Sequence, residues 1–158
     1  MKRLAAAVAL IAGINTFAVS PGIAQHAGTH VVLSPEQLTW KDLPALPGVK
    51  IAVIEGPLDQ AVPIMFRLKF PANYQVPPHR HPGVEHITII SGTLNIGMGD
   101  TLDRNKTHAL TPGSVAIMPP GTSHYVWTNE ETIGQVHSIG PWSVTYVNPE
   151  DDPRKKSQ

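Results

Sequence analysis

From Lys50 onward the apolar residues recur at every second position in short runs, a spacing that belongs to strands and not to helices. In the run 62–70, Phe66, Leu68 and Phe70 share one face and Met65, Arg67 and Lys69 the other, so a strand is predicted with the first face turned inward. Further runs follow at 50–55, 74–76, 85–90, 93–98, 107–110, 115–118, 124–128, 132–139 and 142–147. They are separated by Pro71-Ala72-Asn73, Thr111-Pro112-Gly113 and Pro119-Pro120-Gly121, residues that favour turns, and Ser91-Gly92 reads as a hairpin connection. Strands at this spacing without intervening helices predict an all-β double-sheet jelly roll or barrel.

The flanks read differently. Met1-Lys2-Arg3, an alanine-rich apolar run from Leu4 to Val19 and the small residues Gly22 and Ala24 have the layout of a signal peptide, with cleavage expected after Ala24 and a periplasmic or secreted product. The run falls short of the roughly 20 apolar residues of a spanning helix. Residues 25–49 form an N-terminal arm in which Ser34-Pro35-Glu36-Gln37 has the pattern of a helix start, confined to a turn or two by Pro44 and Pro47. Leu38, Trp40 and Leu43 are expected to close one end of the sheets; an extended arm pairing with a second subunit is the alternative. Residues 50–147 form the barrel, with a polar loop at 99–106 expected to be its most exposed part, and 148–158 is a polar tail with no apolar pattern to bury.

Composition narrows the chemistry. The length of 158 residues suits one domain, and 16 prolines with 13 glycines suit many short strands. Without Lys2 and Arg3 the chain carries ten basic and twelve acidic side chains, a net charge of −2, which argues against a nucleic-acid surface. Cysteine is absent, so disulfides, thiolate ligands and a cysteine nucleophile are excluded. Any metal must be held by His, Asp or Glu.

His79 and His81 lie one residue apart and so share a face of an extended backbone, with Pro77-Pro78 stiffening the approach and Glu85 opening the next strand. His124, on a later strand, completes a set of three imidazoles and one carboxylate. That set suits a divalent transition metal (Zn, Fe, Mn, Ni or Cu), not calcium or magnesium, which prefer oxygen shells. Four protein ligands on an octahedral ion leave two adjacent positions for water or substrate.

The same residues carry a resemblance. The chain is similar to the cupin superfamily, whose two motifs are Gly-x5-His-x-His-x3,4-Glu-x6-Gly and Gly-x5-Pro-x-Gly-x2-His-x3-Asn. His79, His81, Glu85 and Gly92 match the first, with Asn73 in place of its leading glycine. Gly113, Pro119, Gly121 and His124 match the second, with Thr128 in place of its asparagine. The resemblance covers roughly residues 50–147. It implies a cupin-type double-stranded β-helix with a short N-terminal helical turn or arm, metal inside the barrel, and a homodimer. A metal-dependent dioxygenase, isomerase or lyase acting on a small oxygen-chelating substrate is one expected function. The alternative is a non-catalytic periplasmic module that binds or senses a metal or small molecule.

Other polar residues have candidate roles. Gln135 and His137 alternate on one strand and would reach the cavity if their face is the inner one, the outer face being the alternative. Tyr74, near the histidines, could donate a proton or cover the barrel end. Tyr125 and Trp127 are read as packing, His86 as exterior or as a dimer contact, His26 and His30 as an exposed lead-in, and Gly140-Pro141-Trp142 as a structural corner.

Overall fold

The alternating runs pair into two antiparallel sheets. A computed structural model describes residues 30–155, and the β unit runs from Leu33 onward. The expected signal peptide and His26 lie outside the described residues. In chain order the strands are β1 Lys41–Asp42, β2 Lys50–Glu55, β3 Pro63–Phe70, β4 Gln75–Arg80, β5 Glu85–Ser91, β6 Leu94–Met98, β7 His108–Leu110, β8 Val115–Met118, β9 His124–Trp127, β10 Thr132–Ile139 and β11 Thr145–Tyr146. One sheet has the order β1-β2-β3-β10-β5-β8 and the other β11-β4-β9-β6-β7. The all-β jelly-roll expectation holds.

The sheets face each other across the alternating apolar positions. Phe66, Leu68, Ile87 and Val136 from the larger sheet meet Val76, Leu94, Ile96 and Val126 from the smaller, all buried. Each such side chain removed from water contributes on the order of 1.5–3 kcal/mol before conformational entropy is charged against it.

Ser91-Gly92 is not a hairpin. β5 pairs with β10 and β8 in the larger sheet, and β6 pairs with β9 and β7 in the smaller, so the chain crosses between sheets at this point. Gly92 has φ 72°, and a Cβ there would run into the Glu131 carbonyl and the Thr132 side chain. A left-handed residue with no side chain is what a close crossing needs.

The arm and the tail are held closer than their polarity suggests. Pro35–Gln37 is a single 3-10 turn in which the Ser34 N–H donates to Gln37 Oε1 at 2.8 Å. β1 pairs with β2 of the same chain, and Trp40 lies beneath Lys69 Nζ at 4.7 Å, on the outer face of β3 and not across the barrel end. The 99–106 loop contains a 3-10 turn, Arg104–Lys106, capped by Asp103. Arg104 lies over Trp127, and Tyr125 Oη donates to the Asp103 carbonyl at 3.0 Å. In the tail, Arg154 donates to Asp152 at 2.8 Å and to the Val144 carbonyl at 2.9 Å, which anchors the segment against β11. Charged side chains do this work, so no apolar period announces it.

Candidate metal centre

Four buried polar residues meet at one end of the space between the sheets. His79 on β4 is the register partner of His124 on β9, His81 follows β4 directly, and Glu85 opens β5 in the opposite sheet. The connection 81–84 therefore carries the ligand set from one sheet to the other. It is braced where it crosses: Gly121 N donates to the His81 carbonyl at 2.9 Å, and Ser138 Oγ to the Val84 carbonyl at 2.6 Å. A Cβ at Gly83 would come within 2.8 Å of the Ile139 carbonyl, so this crossing too depends on a glycine.

Each imidazole is oriented by the backbone. His79 Nδ1 lies 2.8 Å from the Pro77 carbonyl, His81 Nδ1 2.7 Å from that of Ser143, and His124 Nδ1 3.1 Å from that of Thr122. A carbonyl only accepts, so each Nδ1 carries a hydrogen, which in a neutral ring leaves the lone pair on Nε2. This outer support is the usual device for aiming a histidine at a metal. One ligand nitrogen from each of the three histidines lies within 4.8 Å of the other two. Glu85 Oε2 is 3.4 Å from both His81 Nε2 and His124 Nε2. Two donors each about 2.1 Å from a shared ion would stand roughly 3.0–3.4 Å apart. The three histidines are positioned to hold a metal ion, with the Glu85 carboxylate beside two of them.

The electrostatics point the same way. Burial, reinforced by the neighbouring His124 and His81, pushes the His79 imidazole down to about 3 from 6.5. Burial also lowers His81, against the pull of Glu85. For Glu85, burial favours the neutral acid, but the adjacent His81 and His124 outweigh it and hold the carboxyl below its ordinary value. A neutral His79 and His81 beside an ionised Glu85 are the protonation states a divalent cation requires of those three residues.

The cavity at these ligands is small, with about 20 Å³ open to the centres of water molecules, space for one or two waters. Leu68, Phe70, Ile87 and Val126 supply much of its apolar wall. Trp142 also lines it, stacked on His81 at 5.1 Å and edge-on to Phe66 at 4.8 Å. The sequence pattern places Trp142 at a structural corner and at the start of the run 142–147, of which only Thr145–Tyr146 is strand. A tryptophan behind a Gly-Pro pair gives no period from which its contact with His81 could be read.

The remaining candidates lie elsewhere. In β10 the inward positions are Thr132, Gly134, Val136 and Ser138, so Gln135 and His137 take the outer face, half-buried and exposed respectively. There Gln135 accepts from Arg67 Nε at 2.9 Å and contacts His137 Nε2 at 3.1 Å. This corrects the cavity-facing option. The reason is parity: β10 presents its small and apolar residues to the core. Tyr74 donates its hydroxyl to the Pro47 carbonyl at 2.8 Å, and burial raises its pKa, so it closes the barrel end as a neutral phenol. His86 faces outward opposite His137, and His30 and His108 are exposed.

The two departures from the motif meet at one corner. Asn73, which stands where the pattern has glycine, has φ 56°, a left-handed conformation that asparagine tolerates better than most residues. Thr128, which stands where the pattern has asparagine, donates Oγ1 to the Pro71 carbonyl at 2.8 Å and accepts from Tyr74 N at 3.3 Å. Neither residue belongs to the ligand set.

Residues 66–140 match the family described as Cupin domain. Germin-like protein subfamily 1 member 1 of Arabidopsis thaliana is 34% identical over 76 residues, which is 48% of this chain and 35% of that protein. The chain thus spans about a third of the length of this curated relative. Among solved structures, the polyketide cyclase RemF from Streptomyces resistomycificus superposes with a TM-score of 0.66 at 18% identity, over 82% of this chain and 94% of that one. An RmlC-like cupin from Shewanella frigidimarina superposes with a TM-score of 0.56 at 15% identity, over 71% of this chain and 93% of its own. With both motif turns carrying their histidines into the space between two antiparallel sheets, residues 66–140 carry a match to the Cupin domain and the chain shares its fold with these cupin-like structures.

Proposed function

We propose that this protein is an exported metal-binding cupin that holds one divalent transition metal through His79, His81, Glu85 and His124 and acts on a small oxygen-bearing organic substrate. The observation that carries the reading is the set of three imidazoles, each with Nδ1 engaged by a backbone carbonyl, two of which, His81 and His124, turn Nε2 to the Glu85 carboxylate. When bound, the ion supplies Lewis acidity, polarising an oxygen atom that reaches it. The chain supplies the rest: Ser143, Pro77 and Thr122 fix the ligand tautomers, Glu85 offsets the charge of the ion, and the apolar wall excludes bulk water and strengthens electrostatic contacts. Oxygenation, isomerisation and elimination all fit this arrangement, since a cupin scaffold does not select the reaction.

Elemental analysis of protein purified from its native compartment tests the site. One equivalent of metal is expected in the wild type and a large loss in His81→Ala and Glu85→Ala; unchanged content in both variants refutes the ligand assignment. Mass spectrometry of the same sample checks export, with a mature chain beginning at Gln25 expected. Sedimentation checks the homodimer.

The size of the cavity favours a second reading, a module that carries or senses the ion itself. Space for one or two waters suffices for that role, whereas a larger substrate needs the wall to open. Turnover or oxygen uptake with candidate substrates supports the enzyme. Tight binding with no turnover under any of the five metals supports the module.

A further inference from the structure

Most of the cavity wall stands on paired strands, but Leu46 reaches it from the 43–49 loop that joins β1 to β2. Leu46 is 3% exposed, whereas Pro44, Pro47 and Gly48 around it are exposed, so a surface loop sends this side chain into the space that the three histidines and Glu85 line. The loop is internally braced. Leu46 N donates to the Leu43 carbonyl at 2.9 Å, Val49 N to the Leu46 carbonyl at 3.0 Å and Leu43 N to the Val49 carbonyl at 3.2 Å. Pro44 and Pro47 stiffen it further. Its outside attachments are few: it grows from β1, a two-residue edge strand of the larger sheet, and among the described residues two phenols supply its hydrogen bonds to the smaller sheet. Those bonds fall on the two residues that flank Leu46. Tyr146 Oη donates to the Ala45 carbonyl and Tyr74 Oη to the Pro47 carbonyl, both at 2.8 Å. Neither tyrosine lines the cavity.

We propose that the 43–49 loop is the gate of the metal centre, with Leu46 as its plug and the Tyr74 and Tyr146 hydroxyls as its latches. The inference rests on the metal-binding reading. With Leu46 in place the cavity holds one or two waters. A larger ligand of the ion needs the space that Leu46 fills, so it binds only to the fraction of molecules in which the loop has swung away, and its apparent affinity scales with that fraction. Opening breaks two hydrogen bonds and bares one leucine, while both sheets and the ligand set stay as they are. Leu46 thereby sets the size of ligand that the centre accepts.

The test uses full-length protein loaded with cobalt(II), a coloured stand-in for zinc, and imidazole as the probe, with the visible spectrum of the ion as readout and rapid mixing for the rates. Tyr74→Phe and Tyr146→Phe each remove one latch and no part of the cavity wall. Cobalt content should be unchanged, and each should bind imidazole about fivefold more tightly through a faster on-rate, the effect of losing one ordinary hydrogen bond from the closed loop. Leu46→Ala removes the plug and should tighten binding about tenfold or more. Wild-type affinity and on-rate in both Tyr→Phe variants overturn the gate, as does a folded Leu46→Ala that binds imidazole no better than the wild type. Imidazole that binds none of the four cobalt-loaded proteins overturns it too. Failure of the wild type to take up cobalt, read by elemental analysis before imidazole is added, overturns the metal reading itself and this inference with it. If Leu46→Ala does not fold, the two Tyr→Phe variants decide the matter.

Discussion

Acidifying the metal-free protein titrates the unfolded chain before the folded one. His79 has an ordinary imidazole value of 6.5 when unfolded and is pushed down to about 3 when buried among the other ligands. Its folded pKa is the lower one, so the unfolded state binds the extra proton. The stability associated with a neutral His79 is therefore complete above pH 6.5 and is lost as pH falls toward about 3. At pH 5 the chain is about 1.5 pH units into that window, and at about 1.36 kcal/mol per unit the loss from this residue alone is about 2 kcal/mol. His81, lowered by burial, adds a loss of the same sign, and Glu85, also lowered, adds one in the range below 4.5. Urea unfolding of chelator-treated protein at pH 7.5, 6 and 5 measures the trend, and His79→Gln should flatten the slope between pH 6 and 5 by about one proton's worth. A midpoint that stays constant or rises from pH 7.5 to 5 at unchanged m-value refutes the reasoning, as does a slope that His79→Gln leaves intact.

Zinc at about 100 times its dissociation constant should stabilise the protein by about 2.7 kcal/mol, read as a higher urea midpoint that chelator reverses. Glu85→Gln keeps the side-chain volume but loses the charge, so calorimetry should show zinc binding weakened while the metal-free variant stays folded, because a buried charge and its desolvation cost are both removed. Gly92→Ala must adopt a left-handed φ and collide with Glu131 and Thr132, and should lose at least about 2 kcal/mol in urea unfolding. Phe66→Ala empties a fully buried position beneath Trp142 and should cost about 3–5 kcal/mol, with a change in Trp142 fluorescence marking the lost edge contact.

Much of the site was legible because its logic is local. Alternation puts His79 and His81 on one side of a strand whatever the fold, and the Pro and Gly turns that bound the runs act through backbone angles that neighbouring residues cannot override. The period of two also divided β10 into two sets, Gln135 with His137 and Thr132 with Val136. It could not say which set faces inward, because that depends on what β3 and β5 present on either side. Ser91-Gly92 shows the same limit, since a tight left-handed turn serves a hairpin and a sheet crossing equally well.

The sequence by itself thus determined most of the strands and their bounding turn residues and singled out the three imidazoles and the carboxylate, all properties of residues and of spacings within one or two elements. The tertiary structure alone decided that β4 and β9 pair to set His79 opposite His124. It also decided that the 81–84 crossing brings Glu85 over from the other sheet, and that Trp142 closes the wall against His81. Those contacts join residues far apart in the chain, and their geometry is set by how two whole sheets pack, a quantity that no local pattern encodes.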